Sequence, residues 1–254
     1  MPDIPAARLA AVIQELVRAH AASAPTPRAL PYLGLEQRSG TGFHLLDALA
    51  ARGIFRKYEH VLDLGAGLGG TSRWLAARLG CEVVGTASSA AEATAGSELT
   101  RRARLGAQVR LVPAAEDALP FRAGCFTHVW LLEVLPRLAR PAASLAEAMR
   151  VLRRGGTIAV QELVAVRETA VPGWRFAHDA TAALRDAGFV DLHVRDRTLE
   201  VEERSSQVVA ARARLLSRLR GEADLAGVLA EREALARALA DGSLHVLQVL
   251  ARRP

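Results

Sequence analysis

Apolar residues at Leu9, Val12, Ile13, Leu16 and Val17 recur every three or four positions, a spacing that predicts an amphipathic helix over residues 5–22. Pro25, Pro27 and Pro31 break that pattern, and a second helix is expected near 40–52. From residue 59 the period changes. Short apolar runs at 60–64, 81–86, 108–112, 125–132, 157–163 and 189–197 have the length of buried strands. Helical patterns fall between them, near 70–79, 90–104, 140–152 and 178–187. Such alternation builds a mostly parallel sheet with helices on both faces. Residues 204–240, rich in Ala, Leu, Arg and Glu, read as one or two helices, and Ser243 to Arg252 (SLHVLQVLAR) as a final strand. The expected organisation is one α/β domain over 1–254: an N-terminal helical cap at 1–55, a core sheet at 56–200, a helical insertion at 201–242 and a last strand at 243–254.

Composition narrows the function classes. Half of the 254 residues are apolar and 4% aromatic, enough for one α/β domain with a mainly aliphatic core. The net charge is +6 and Lys57 is the only lysine, the rest of the positive charge being arginine. No basic block with interleaved aromatics occurs, so a nucleic-acid partner is not expected. Cys81 and Cys125 have neither the number nor the spacing of a metal site or a disulfide framework, and are expected as buried free thiols. No run is long enough to span a membrane, and Asp3 and Arg8 stand where a signal peptide would be apolar. A cytoplasmic protein, with no membrane partner and no metal, is the expectation.

The chemistry concentrates at Val61-Leu62-Asp63-Leu64-Gly65-Ala66-Gly67-Leu68-Gly69-Gly70-Thr71. A buried strand runs into a glycine turn and then into a helix. Glycines let the backbone approach a ligand closely, and the helix start adds unpaired N–H groups and a positive dipole end. The sequence from here resembles the class I S-adenosylmethionine (SAM)-dependent methyltransferases, in particular the small-molecule branch that includes sarcosine/dimethylglycine and natural-product methyltransferases. Three motifs in order carry the resemblance: VLDLGAGLGGTSRWLA, ALPFRAGCFTHVW and EAMRVLRRGGTIAVQE. It covers residues 31 to 254. It implies a Rossmann-like, seven-stranded, mostly parallel sheet whose last strand is antiparallel, with SAM as cofactor and a small-molecule substrate.

By that resemblance, Asp63 would hold the amino group of SAM, and the backbone of Gly65, Gly67 and Gly69 would abut the sulfonium region. Three positions depart from the family. The acid that ends the second strand and accepts the ribose hydroxyls is replaced by Ala87, with Ser88 or Ser89 as substitutes. The acid after the third strand falls on Ala115, and a one-residue adjustment brings Glu116 to the adenine instead. Glu92 reads as the end of a capping box, Ser89-Ala90-Ala91-Glu92. The fourth strand opens Phe126-Thr127-His128 where the family has Phe-Asp; His128 lies early in the strand, away from the carboxyl end, and reads as structural. Arg73 and Trp74 read as packing or surface residues.

Methyl transfer needs orientation and water exclusion more than acid–base groups. Glu133, ending the apolar run Trp130-Leu131-Leu132, is the expected catalytic residue, as proton acceptor or as partner for a cationic amine; Glu162 holds the same place on the next strand. His178 and Asp179 are expected to start a helix, and His20, Tyr32 and His44 are candidates to line a lid. The departures support an alternative: a methyltransferase fold that has lost methylation and acts as a cyclase, isomerase or lyase, or as a non-catalytic partner. An NADP-dependent oxidoreductase lacks its Tyr-x-x-x-Lys pair. A homodimer is compatible with the sequence, which does not specify the oligomeric state.

Overall fold

A computed structural model describes residues 5–21, 31–32, 35–36, 46–52, 58–166, 177–200, 234 and 237–254. The amphipathic N-terminal pattern forms α1 (Ala6–Ala21), followed by α2 (Leu46–Arg52). Alternating units then run β1 (His60–Leu64), α3 (Gly70–Leu79), β2 (Glu82–Ala87), α4 (Ala90–Arg102), β3 (Val109–Pro113), β4 (Phe126–Leu132), α5 (Pro141–Val151), β5 (Leu152–Ala165), α6 (Ala177–Asp186), β6 (Val190–Asp196) and β7 (Leu244–Arg252). The strands form one seven-stranded sheet in the order β3-β2-β1-β4-β5-β7-β6. Strands β1 to β5 are parallel, and β7 runs antiparallel between β5 and β6. The α/β fold class expected from the pattern is the one observed.

Successive strand residues face opposite layers. Leu62, Leu64, Val129, Leu131, Ile158 and Val160 pack with Leu145 and Ala148 of α5 and Leu184 of α6. Their alternates Val61, Trp130, Leu132 and Ala159 pack with Leu46 and Leu49 of α2 and with Trp74 and Leu75 of α3. Both faces are covered, which is why these strands read as unbroken apolar runs. Helix α1 packs Leu9, Val12 and Ile13 against Leu99 of α4, together with Tyr32, Leu35 and Leu68.

Two expectations are adjusted, and two others fall partly outside the described residues. β5 begins at Leu152, directly after α5, because Leu152 is buried and pairs with Phe126 before a register shift. Cys125 is exposed, lying in the loop ahead of β4; Cys81 is buried. Of the helix expected at 40–52, the described part is Leu46–Arg52. Of the helical segment at 204–240, residues 201–233 lie outside the described residues, as does His44.

Arg73 is fully buried, not a surface residue. Its Nη2 lies 3.1 Å from Oε1 of the buried Glu36, and its Nη1 donates to Leu68 O at 2.7 Å and Thr100 Oγ1 at 3.1 Å. The guanidinium also sits 5.2 Å from the centre of the Tyr32 ring, whose hydroxyl donates to Leu99 O. One buried cation thus joins Tyr32 and Glu36 to α3 and α4. A buried pair costs far more to halve than to replace, so Glu36→Gln or Arg73→Met alone should lower unfolding stability by about 3–5 kcal/mol. The double variant Glu36→Leu/Arg73→Met should recover most of that loss in denaturant unfolding; additive losses would show that the two groups act independently.

Candidate functional site

The carboxyl ends of β1 to β4 open into one cleft, the place where ligands bind open α/β sheets. β1 ends at Asp63-Leu64 and the chain turns through Gly65, Gly67 and Gly69, all at positive φ (75°, 57° and 79°). Gly69 caps α3 in the left-handed conformation, and its amide donates to Ala66 O. A side chain there would fall 2.7 Å from Leu111 Cδ1, so this glycine serves helix packing, whereas Gly65 and Gly67 line the cleft. A second close approach is made at Gly85 of β2, where a Cβ would lie 2.7 Å from Ser72 Oγ and 2.8 Å from Ala66 Cβ.

That approach brings Ser72 against the sheet, and its hydroxyl donates to Asp63 Oδ2 at 2.7 Å. Asp63 is buried at the floor of the cleft. Burial pushes its carboxyl up from 3.8 to about 7, against the smaller opposing effects of Ser72 and Arg73. The buried Thr86 of β2 accepts from the amide of Gly65 at 2.9 Å and so pins the turn.

The sequence-predicted residues Asp63, Gly65, Gly67, Ser88 and Glu116 all line this cleft. Glu36 and Glu92 line it as well; the sequence offers Glu92 as a substitute acid but reads it as a capping residue, and gives no signal at Glu36. The backbone half of the predicted capping box is present, since Ser89 Oγ accepts from the Glu92 amide at 3.1 Å. The carboxylate, however, turns to Ser88, accepting from its amide at 3.1 Å and its hydroxyl at 2.8 Å. Ala87 is buried and Ala115 is exposed outside the cleft lining.

Glu133 directly follows β4, between the cleft residues Leu132 and Val134. It is buried and holds φ 55°, a backbone state rarely occupied by a non-glycine residue and one that concentrates at functional sites. Its amide donates to Gln161 O at 2.7 Å. Glu162 of β5 is buried beside it and accepts from the amides of Leu135 at 3.1 Å and Leu163 at 3.2 Å. Burial first, and the Glu133 charge second, raise the Glu162 carboxyl well above the usual range.

Of the remaining candidates, Thr127, His128 and Tyr32 have structural contacts. Thr127 accepts from His60 N and donates to His60 O, closing the start of the β1–β4 pairing. His128 is buried next to it, with Nδ1 3.0 Å from Thr127 Oγ1 and 3.6 Å from Glu59 Oε2. Tyr32 is locked under Arg73 and faces the protein interior, while His20 falls in α1 and His178 and Asp179 open α6. Among the described residues no cluster of His, Cys, Asp and Glu could hold a metal ion, and no helix is long and apolar enough to cross a membrane.

Four carboxylates and one cation, Arg137, are among the residues lining the cleft. Glu36, one of the four, is already paired with Arg73. Residues 62–160 match the family model described as a methyltransferase domain. The chain is 34% identical over 98 residues to a sarcosine/dimethylglycine N-methyltransferase of Halorhodospira halochloris, covering 39% of this chain and 35% of that protein. It is 31% identical over 105 residues to the chloroplastic tocopherol O-methyltransferase of Arabidopsis thaliana, covering 41% and 30%. The chain thus spans about a third of the length of these curated relatives. Its fold matches the [4+2]-cyclase SpnF with TM-score 0.73 and 20% identity over 96% of this chain and 93% of that one. It also matches geranyl diphosphate C-methyltransferase from Streptomyces coelicolor A3(2), with TM-score 0.66 and 19% identity over 94% and 88%.

The Asp63 carboxyl gives the site a pH signature. Its folded value lies above its unfolded one, so its contribution to stability is full below about pH 4 and is lost as pH rises through 7. Between these limits the ligand-free protein should lose up to about 4 kcal/mol relative to Asp63→Asn, at 1.36 kcal/mol per unit of pH. Thermal or urea unfolding across that range reads it; parallel stability curves for the two proteins would refute the assignment.

Proposed function

We propose that the chain, whose residues 62–160 match a methyltransferase domain, is a class I methyltransferase that transfers a methyl group from S-adenosylmethionine to a nucleophilic atom of a small molecule. The observation that carries this reading is the acid-lined cleft built on the Asp63 to Gly69 turn. Its donor set fits the cofactor. Asp63, oriented by Ser72, would hold the α-ammonium group, and Gly65 and Gly67 leave backbone, not side chain, beside the sulfonium region. Glu116, on the loop after β3, would receive the adenine amine.

When bound, S-adenosylmethionine supplies a methyl group already activated for in-line displacement. The chain's own residues orient the two reactants and exclude water, which is where most of the rate of such a bimolecular step originates. Glu133 is the group we assign to the substrate. The Glu162 carboxyl, raised well above the usual range by burial, stands beside Glu133, which would accept the nucleophile's proton or pair with a cationic amine. Free thiols at Cys81 and Cys125 suit a reducing, cytoplasmic compartment.

A second reading, a fold retained for a non-methylating reaction, is favoured by Ala87, which leaves the end of β2 without an acid. Calorimetric titration with S-adenosylhomocysteine separates the two. Micromolar binding is expected, and Gly67→Val should abolish it, because a branched side chain at φ 57° would press on Glu92 Oε1. Glu133→Gln should leave that binding within about twofold and lower kcat by about 10- to 100-fold in a labelled-methyl assay over amine and hydroxyl acceptors. Absence of binding at millimolar ligand by the folded wild-type chain would overturn methyl transfer.

A further inference from the structure

The carboxylate that the end of β2 lacks is supplied from the next helix. Ser88 directly follows β2, and its amide and hydroxyl both hold Glu92 Oε2. The other oxygen, Oε1, would lie 3.2 Å from a Cβ placed on Gly67. The Glu92 carboxylate therefore bridges the strand end and the glycine turn, from a side chain that is itself 3% exposed and lines the cleft. Residues that merely cap a helix return their carboxylate to the N-cap amide; this one is drawn past Ser89 to Ser88, and into the cleft.

The sheet order says what meets it. Glu133 and Glu162 stand over β4 and β5, Asp63 and the glycine turn over β1, Glu92 beside β2, and Glu116 beyond β3. A ligand whose reacting group points to β4 lays its remaining length over β2 and then β3. In an S-adenosyl ligand the ribose, with two adjacent hydroxyls, lies between the sulfonium and the adenine. Two hydroxyl donors and one carboxylate make a two-point, charge-assisted hydrogen bond.

We propose that Glu92, held by Ser88, is the ribose-diol acceptor of this chain and replaces the acid absent at Ala87. The proposal rests on the cofactor reading above and makes its own demand, that affinity depend on the diol through Glu92. The test is a calorimetric comparison of S-adenosylhomocysteine with its 2′,3′-dideoxy analogue, on the wild type and on Glu92→Gln. The wild type should prefer the diol by about 10- to 100-fold. In Glu92→Gln that preference should collapse to within about threefold, the diol ligand losing affinity and the analogue keeping it. A purely structural Glu92 would weaken both ligands together and leave the preference intact, which would overturn the proposal while methyl transfer stands. Wild-type binding of neither ligand would overturn both. If Glu92→Gln does not fold, as judged by circular dichroism and melting, Glu92→Asp reads the same comparison. It keeps the charge and withdraws it by one methylene, so the diol preference should fall there too, and an unchanged preference counts against the assignment.

Discussion

The close approach of α3 to the sheet is the constraint from which the cleft follows. It exists because Gly85 has no side chain where Ser72 and Ala66 arrive, and because Gly69 has none where Leu111 arrives. Ser72 then reaches Asp63 at the end of β1. The same seating drives Arg73 below the surface, where a carboxylate, carbonyl oxygens, the Thr100 hydroxyl and the Tyr32 ring make a buried guanidinium tolerable. Polar groups that would otherwise face water become the fixed walls of the cleft, their orientation set by the packing of the helix.

The architecture was legible because it rests on local pattern. Strand β1 was read at its observed bounds and most other strands within a residue or two, since burial on both faces leaves unbroken apolar runs between glycine and proline breaks. Asp63 and the glycine turn were legible for the same reason. Glu36, Arg73 and Ser72 were not. Their roles depend on partners 37 and 9 residues away in the chain, and an arginine in a helix has the same local signature whether it is solvated or sealed. Thr86 was likewise one more residue of a strand until its hydroxyl was seen to accept from Gly65.

Glu92 shows a subtler limit. The spacing Ser-x-x-Glu correctly marked the start of α4, and the Ser89 hydroxyl does cap it. Spacing specifies the backbone position of the glutamate but not the destination of its carboxylate, which is decided by two donors on Ser88 and by the glycine turn opposite. The departures at Ala87 and Thr127 have separate physical contexts. Thr127 ties down the far end of β1, away from the cleft, whereas Ala87 stands beside a neighbouring helix that carries a carboxylate.

The sealed Arg73–Glu36 pair also bears on how this chain can diverge. Replacing either partner first leaves a lone charge in a dry interior, so each single-step path crosses a poorly folded intermediate. Positions 36 and 73 should therefore change together or not at all among descendants of this sequence, a ratchet that holds the N-terminal segment to the helices while surrounding surface residues drift freely.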